Sequence, residues 1–205
     1  MKEHWERFLG YSHSGLVERV AGMLNSFDSN QNLLDVGCGK GNLEIVLSQK
    51  FHNVTGIDIS KNAITYAKNR VPEYSYQIMD INKGLKFKDK KFDIVICIEV
   101  LEHIINPVFA IKEMMRVGKK VIITCPNGFW TELRPTTEGY KKVPNYVHFT
   151  EKQLRNVIRL FGGKILSFEY FTTEKYKFIK YLRNIYPRFL SSNFIVTINT
   201  ENMSD

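Results

Sequence analysis

The sequence predicts an α/β fold, a parallel sheet with helices on both faces. Three observations lead there. Apolar runs of strand length recur at 33–36, 53–59, 74–81, 92–98 and 119–125. Segments with helical spacing or helix caps lie between them, and strands alternating with helices close into a parallel sheet. The first run also passes straight into three glycines at alternate positions and then a helix start.

The elements follow in order. Residues 1–28 read as one or two helices, with Leu16, Val20, Met23, Leu24 and Phe27 on one face. Trp5, Phe8 and Tyr11 stand ahead of that face. The segment is either a lid over a ligand cleft or a helix packed on the sheet.

Leu33-Leu34-Asp35-Val36-Gly37-Cys38-Gly39-Lys40-Gly41-Asn42 is the organising stretch. A buried strand meets a glycine turn that lets the backbone approach a ligand without Cβ interference. Strand, turn and helix N-terminus together make a nucleotide-binding corner. The dinucleotide fingerprint would need glycine at 42, which is Asn, and Lys40-Gly41-Asn42 lacks the hydroxyl residue of a phosphate loop. Asp35, just before the turn, suits a cationic ligand group.

This motif resembles the first motif of the class I S-adenosylmethionine (SAM) methyltransferases. The resemblance implies that Asp35, Gly37, Cys38, Gly39 and Gly41 hold the methionine end of SAM. It also implies a Rossmann-like, seven-stranded, mostly parallel sheet whose last strand inserts antiparallel, over a single domain spanning 1–205.

The second strand runs from Asn53 to an acid, Asp58, 21 residues after Gly37. A carboxylate at that strand tip can accept both hydroxyls of a ribose. Ser60 then caps a helix through Arg70. The third strand, from Tyr74, ends at Asp80-Ile81. By the family's pattern Asp58 and Ile59 take the ribose end of SAM, Asp80 accepts the adenine amino group, and Ile81 packs on the ring. Residues 82–91 form a lysine-rich loop.

Phe92 to Ile98 is almost wholly apolar and therefore central. It runs into Glu99-Val100-Leu101-Glu102-His103, and Asn106-Pro107 starts the next helix. This run resembles the fourth motif of small SAM methyltransferases, the ubiquinone-pathway O-methyltransferases among them, and places Ile98 in the SAM site. The fifth strand spans Lys119 to Asn127. Residues 128–149 carry Trp130, Arg134, Tyr140, Tyr146 and His148 without clear periodicity, as expected of a substrate-facing loop at strand C-termini. Thr150 and Gln153 form a capping box, Gly162-Gly163 ends that helix, and strands follow at 164–171 and 193–199. Between them, residues 172–192 are a second substrate-side candidate. Their basic and aromatic core, 175–190, is either an amphipathic helix on the sheet or a contact for RNA or a membrane surface.

Glu99, Glu102, His103 and His148 form a candidate constellation. On a helical turn, 99, 102 and 103 would share one face. Two carboxylates and two imidazoles suit Mn²⁺, with Mg²⁺ or Zn²⁺ also able to bind, and such an ion could acidify a substrate hydroxyl. The same run is similar to that of metal-dependent small-RNA 2′-O-methyltransferases, which also carry a Pro-Asn (Pro126-Asn127) and a later His-aromatic pair (His148-Phe149). It also occurs in methyltransferases with no metal, where these residues open a helix and the histidine touches substrate. His148 is the candidate catalytic residue in either case.

Composition sets the remaining bounds. The net charge is +8, which favours an anionic partner or else marks a basic solvated surface. Cys38, Cys97 and Cys125 lie in or beside strand-like runs and read as reduced core thiols of a cytoplasmic protein. No apolar run reaches membrane-span length, and Met1 to Trp5 holds no apolar signal core. Three functions are therefore in view. The first is O-methylation of a small-molecule, sugar or lipid-linked acceptor. The second is metal-dependent RNA 2′-O-methylation. The third is SAM binding without turnover.

Overall fold

The computed structural model describes residues 14–128, 148–172 and 191–201. In chain order the strands are β1 (Asn32–Val36), β2 (Asn53–Asp58), β3 (Ser75–Ile78), β4 (Phe92–Ile98), β5 (Gly118–Pro126), β6 (Lys164–Phe171) and β7 (Asn193–Asn199). The helices are α1 (Ser14–Met23), α2 (Asn42–Leu47), α3 (Lys61–Arg70), α4 (Pro107–Val117) and α5 (Glu151–Leu160). One seven-stranded sheet has the order β3-β2-β1-β4-β5-β7-β6. β1 to β5 pair in parallel, and β7 runs antiparallel between β5 and β6.

Alternation along β4 shows how the sheet is covered. Ile94 and Ile96 face one core with Leu16, Val20, Leu43 and Leu47 of α1 and α2. Val95 and Cys97 face the other, with Ile111, Met114, Leu154 and Ile158 of α4 and α5. Side chains alternate across a strand, so a fully apolar strand needs helices on both sides. α1 is one of these covering helices: Leu16, Val20 and the following Leu24 are buried against the sheet. The expected Trp5, Phe8 and Tyr11 cluster lies outside the described residues, as do 129–147 and 173–190.

The expected caps are present. The Ser60 hydroxyl accepts the Ala63 N–H, the Asn106 side chain accepts the Phe109 N–H, and Thr150 with Gln153 completes the capping box. β3 is shorter than expected. Asp80 instead caps a 3₁₀ turn, Ile81–Lys83, by accepting the Asn82 N–H. All three cysteines are buried free thiols. No helix among the described residues is long and apolar enough to cross a membrane.

Lys90 fastens the far end of the sheet. Its ammonium donates to the carbonyls of Met115 (2.9 Å), Gly118 (3.3 Å) and Thr200 (2.8 Å) and to the Thr200 hydroxyl (2.8 Å). Lys90→Met would strand these acceptors, at a cost of about 2 kcal/mol. The melting temperature should drop by roughly 4–8 °C, measured by circular dichroism. A drop under one degree would show that the ammonium carries no stability.

Candidate active site

The sheet's C-terminal edge brings the expected cofactor residues together. The N–H groups of Gly37 and Cys38 both donate to the Ile57 carbonyl, at 2.8 and 3.0 Å, which hooks the turn after β1 onto the end of β2. Gly37 has φ +78°, and a Cβ there would lie 2.4 Å from Val100 Cγ2 beyond β4. At Gly39 (φ +54°) a Cβ would meet nothing within 4 Å, so this part of the turn faces open space. The Gly39 N–H donates to Asp58 Oδ2 at 3.0 Å, and Ser60 N–H donates to Oδ1 at 2.8 Å. Turn and strand-tip acid are thus one rigid unit. Burial raises the Asp58 pKa above its ordinary value, and the N–H donors oppose that shift.

The surroundings of that unit are mixed in character. Ile59 is 56% exposed, an apolar surface beside the acid. Asp80 accepts both the backbone and side-chain N–H of Asn82 at 3.0 Å. Ile81 is buried in the core with Leu34 and Leu85. Ile98 ends β4 opposite Thr124. An exposed apolar side chain, a strand-tip acid and a glycine turn with open space beside it thus share this edge of the sheet.

Asp35 lies at the end of β1, just before the glycine turn. It is buried and faces Glu44 of α2, which is itself fully buried. Burial, then the Glu44 charge, push Asp35 well above the carboxylate range. Burial pushes Glu44 up to about 7.

The four-residue constellation departs from expectation. Glu99 precedes the helical turn, with φ +54°, and the turn itself is 3₁₀, Leu101–His103. The left-handed backbone at Glu99 turns its carboxyl to β5 and β7. Oε1 accepts the Thr124 hydroxyl at 3.0 Å, and Oε2 accepts the Asn193 amide N–H at 2.7 Å. Glu102 is 3% exposed, and its Oε1 lies 3.9 Å from His103 Nε2. Glu99, Glu102 and His103 therefore do not share one helical face. His148 lies in a cleft of about 320 Å³ with Val108, Phe149, Gln153, Asn156 and Val157. Among the described residues no group of three or more His, Cys, Asp or Glu side chains is arranged to hold a metal ion.

Sequence reasoning missed Glu44, Val100, Thr124 and Asn193. Glu44 had a readable signal. It shares a buried face with Leu43 and Leu47, and Gly56 interrupts the apolar strand opposite, a mark of close approach. Asn193 had none, because its role depends on where β7 inserts.

A methyltransferase-domain family model matches residues 34–121, the segment that holds the glycine turn, Asp58, Asp80 and the Glu99-to-His103 run. Over that segment the chain is similar to class I SAM-dependent methyltransferases. The chain is 29% identical over 133 residues to a ubiquinone biosynthesis O-methyltransferase of Hydrogenovibrio crunogenus, covering 63% of this chain and 52% of that one. It is 36% identical over 105 residues to the enzyme of that name from Coxiella burnetii, covering 47% and 44%. The chain spans about half the length of these curated relatives. The chain also shares its fold with a SAM-dependent methyltransferase from Mesorhizobium loti, at TM-score 0.70 and 13% identity over 88% of this chain and 96% of that one. Magnesium protoporphyrin IX methyltransferase from Synechocystis, crystallised with S-adenosylhomocysteine, aligns at TM-score 0.71 and 20% identity over 96% and 93%.

Proposed function

We propose that this chain transfers the methyl group of SAM to a hydroxyl oxygen of a small-molecule acceptor, a sugar or lipid-linked one included. The observation that carries SAM binding is the glycine turn locked to Asp58 through the Gly39 N–H. The preference for oxygen is supported by the ubiquinone O-methyltransferase relatives.

SAM supplies a methyl group on a sulfonium, which is already a good leaving group. The protein's work is then mainly positioning, which can contribute roughly 7–11 kcal/mol. Asp58 would take the ribose hydroxyls and Asp80 the adenine amino group, with Ile59, Ile81 and Ile98 as apolar contacts. Gly37, Cys38, Gly39 and Gly41 would shape the methionine end, with Asp35 behind them. His148 would receive or orient the acceptor's proton from its cleft. His148→Ala should lower turnover at least tenfold while SAM affinity changes less than threefold. Equal loss in both would place the histidine in the cofactor site instead.

The test is transfer of labelled methyl from SAM into host RNA and into small molecules plus lipids, each with Mn²⁺ or with chelator. Metal-independent label in the second fraction is the expected result. Label in RNA only with metal would overturn it and favour the RNA reading, which the net charge of +8 supports and which would need Glu99, Glu102, His103 and His148 to converge on the ion. Tight SAM binding with no label anywhere would leave a binding protein.

A further inference from the structure

We infer that Asp35 and Glu44 hold one proton between them beneath the glycine turn, and that SAM binding above it drives that proton out to solvent. The inference rests on the proposed SAM site.

The sheet register sets the pair. Asp35 on β1, Gly56 on β2 and Tyr76 on β3 are in register, so they form a row on one face. Glu44 comes down onto that row from α2. Gly56 makes its room, since a Cβ there would lie 2.8 Å from Glu44 Oε1, 2.9 Å from Tyr76 Cδ1 and 3.0 Å from Cys38 Sγ. Glu44 is fully buried, and neither of its oxygens receives an N–H or O–H donor from elsewhere among the described residues. Asp35 faces it, and two carboxyls can hydrogen-bond to each other only by sharing a proton. A doubly ionised pair in this dry site would cost several kcal/mol.

The groups that act on the pair come from every neighbouring element. Asp58 of β2, Tyr74 and Tyr76 at β3, and the Cys38 thiol all lie close enough to interact. Arg70 of α3 is the cation that acts on Glu44, and its guanidinium is bonded to the Lys40 carbonyl and Asn42 Oδ1. The balance is acidic, and it favours the retained proton. Burial, the largest cause, pushes Glu44 up to about 7.

SAM brings a sulfonium and an ammonium to the turn that Asp35 supports. An added cation favours the ionised form of nearby carboxyls. The proton then leaves as H⁺ to the buffer, with no bond to carbon or sulfur changed. By linkage, SAM affinity rises with pH through the same window.

The test is titration calorimetry of the full chain with SAM at pH 6.5, in phosphate, PIPES and imidazole, whose ionisation enthalpies differ. The expected slope of observed heat against ionisation enthalpy corresponds to net proton release on SAM binding. Glu44→Gln should still bind SAM but lose the slope. A zero slope or proton uptake in the parent protein overturns the inference while leaving the cofactor reading intact. A slope that persists in Glu44→Gln also overturns it, because the proton then comes from the ligand or another group. Absence of any SAM binding overturns the cofactor reading and the inference with it.

Discussion

Gly37→Ala should lower the melting temperature by roughly 6–12 °C and remove measurable SAM binding. Two costs combine. The residue sits at φ +78°, where a non-glycine residue pays about 1–2 kcal/mol. The new Cβ would also lie 2.4 Å from Val100 Cγ2 and 3.0 Å from Cγ1, and overpacking of a filled site costs about 1–3 kcal/mol. Their sum, about 3 kcal/mol, is a large fraction of a domain's stability. At about 2–4 °C per kcal/mol for a chain of this size, it gives the stated shift. Relief of the clash, by turn displacement, would break the Gly37 and Cys38 bonds to the Ile57 carbonyl and move the Gly39 N–H off Asp58. The double variant Gly37→Ala with Val100→Ala should recover about half of the lost melting temperature, since it removes the clash but keeps the strained backbone. Thermal melts followed by calorimetry check both statements. A single variant that melts with the parent would show that the turn does not have this geometry.

Asp58→Ala should weaken SAM binding by roughly tenfold to a hundredfold. The carboxylate does two jobs through different lone pairs. It holds the Gly39 and Ser60 N–H groups now, and it would hold the ribose hydroxyls when SAM binds. A hydrogen bond to a charged group contributes about 1.5–3 kcal/mol, and each 1.4 kcal/mol is tenfold in affinity. Alanine removes both jobs. Asparagine keeps the shape and one acceptor oxygen, so Asp58→Asn should fall between alanine and the parent. The melting temperature separates the contributions: lost affinity with an unchanged melt assigns the effect to ribose contact, and a fall in both assigns part of it to the turn. Unchanged affinity in Asp58→Ala would sink the cofactor map.

Much of this site was legible because its parts are close together in sequence. Gly37, Gly39 and Gly41 alternate over five residues, and Asp58 falls at the tip of the next strand. Each follows from backbone sterics and strand length, which act locally. The caps at Ser60, Asn106 and Thr150 were legible for the same reason, as each side chain bonds an N–H three residues on. Glu99, Glu102 and His103 were misplaced because their expected shared face assumed a helix. The chain instead makes a left-handed residue and a 3₁₀ turn there, and the Glu99 carboxyl goes to Thr124 and Asn193.

The sequence alone determined the alternation of strands and helices, the glycine turn and the acids at the strand tips. Those depend on periodicity, φ freedom and short-range spacing. The tertiary structure decided the rest. It set β7 between β5 and β6, so that Asn193, 94 residues from Glu99, reaches its carboxyl. It also brought Glu44 down onto Gly56 beside Asp35. Both outcomes depend on strand order and register, which are fixed when distant segments bury their apolar faces together and which no local pattern encodes.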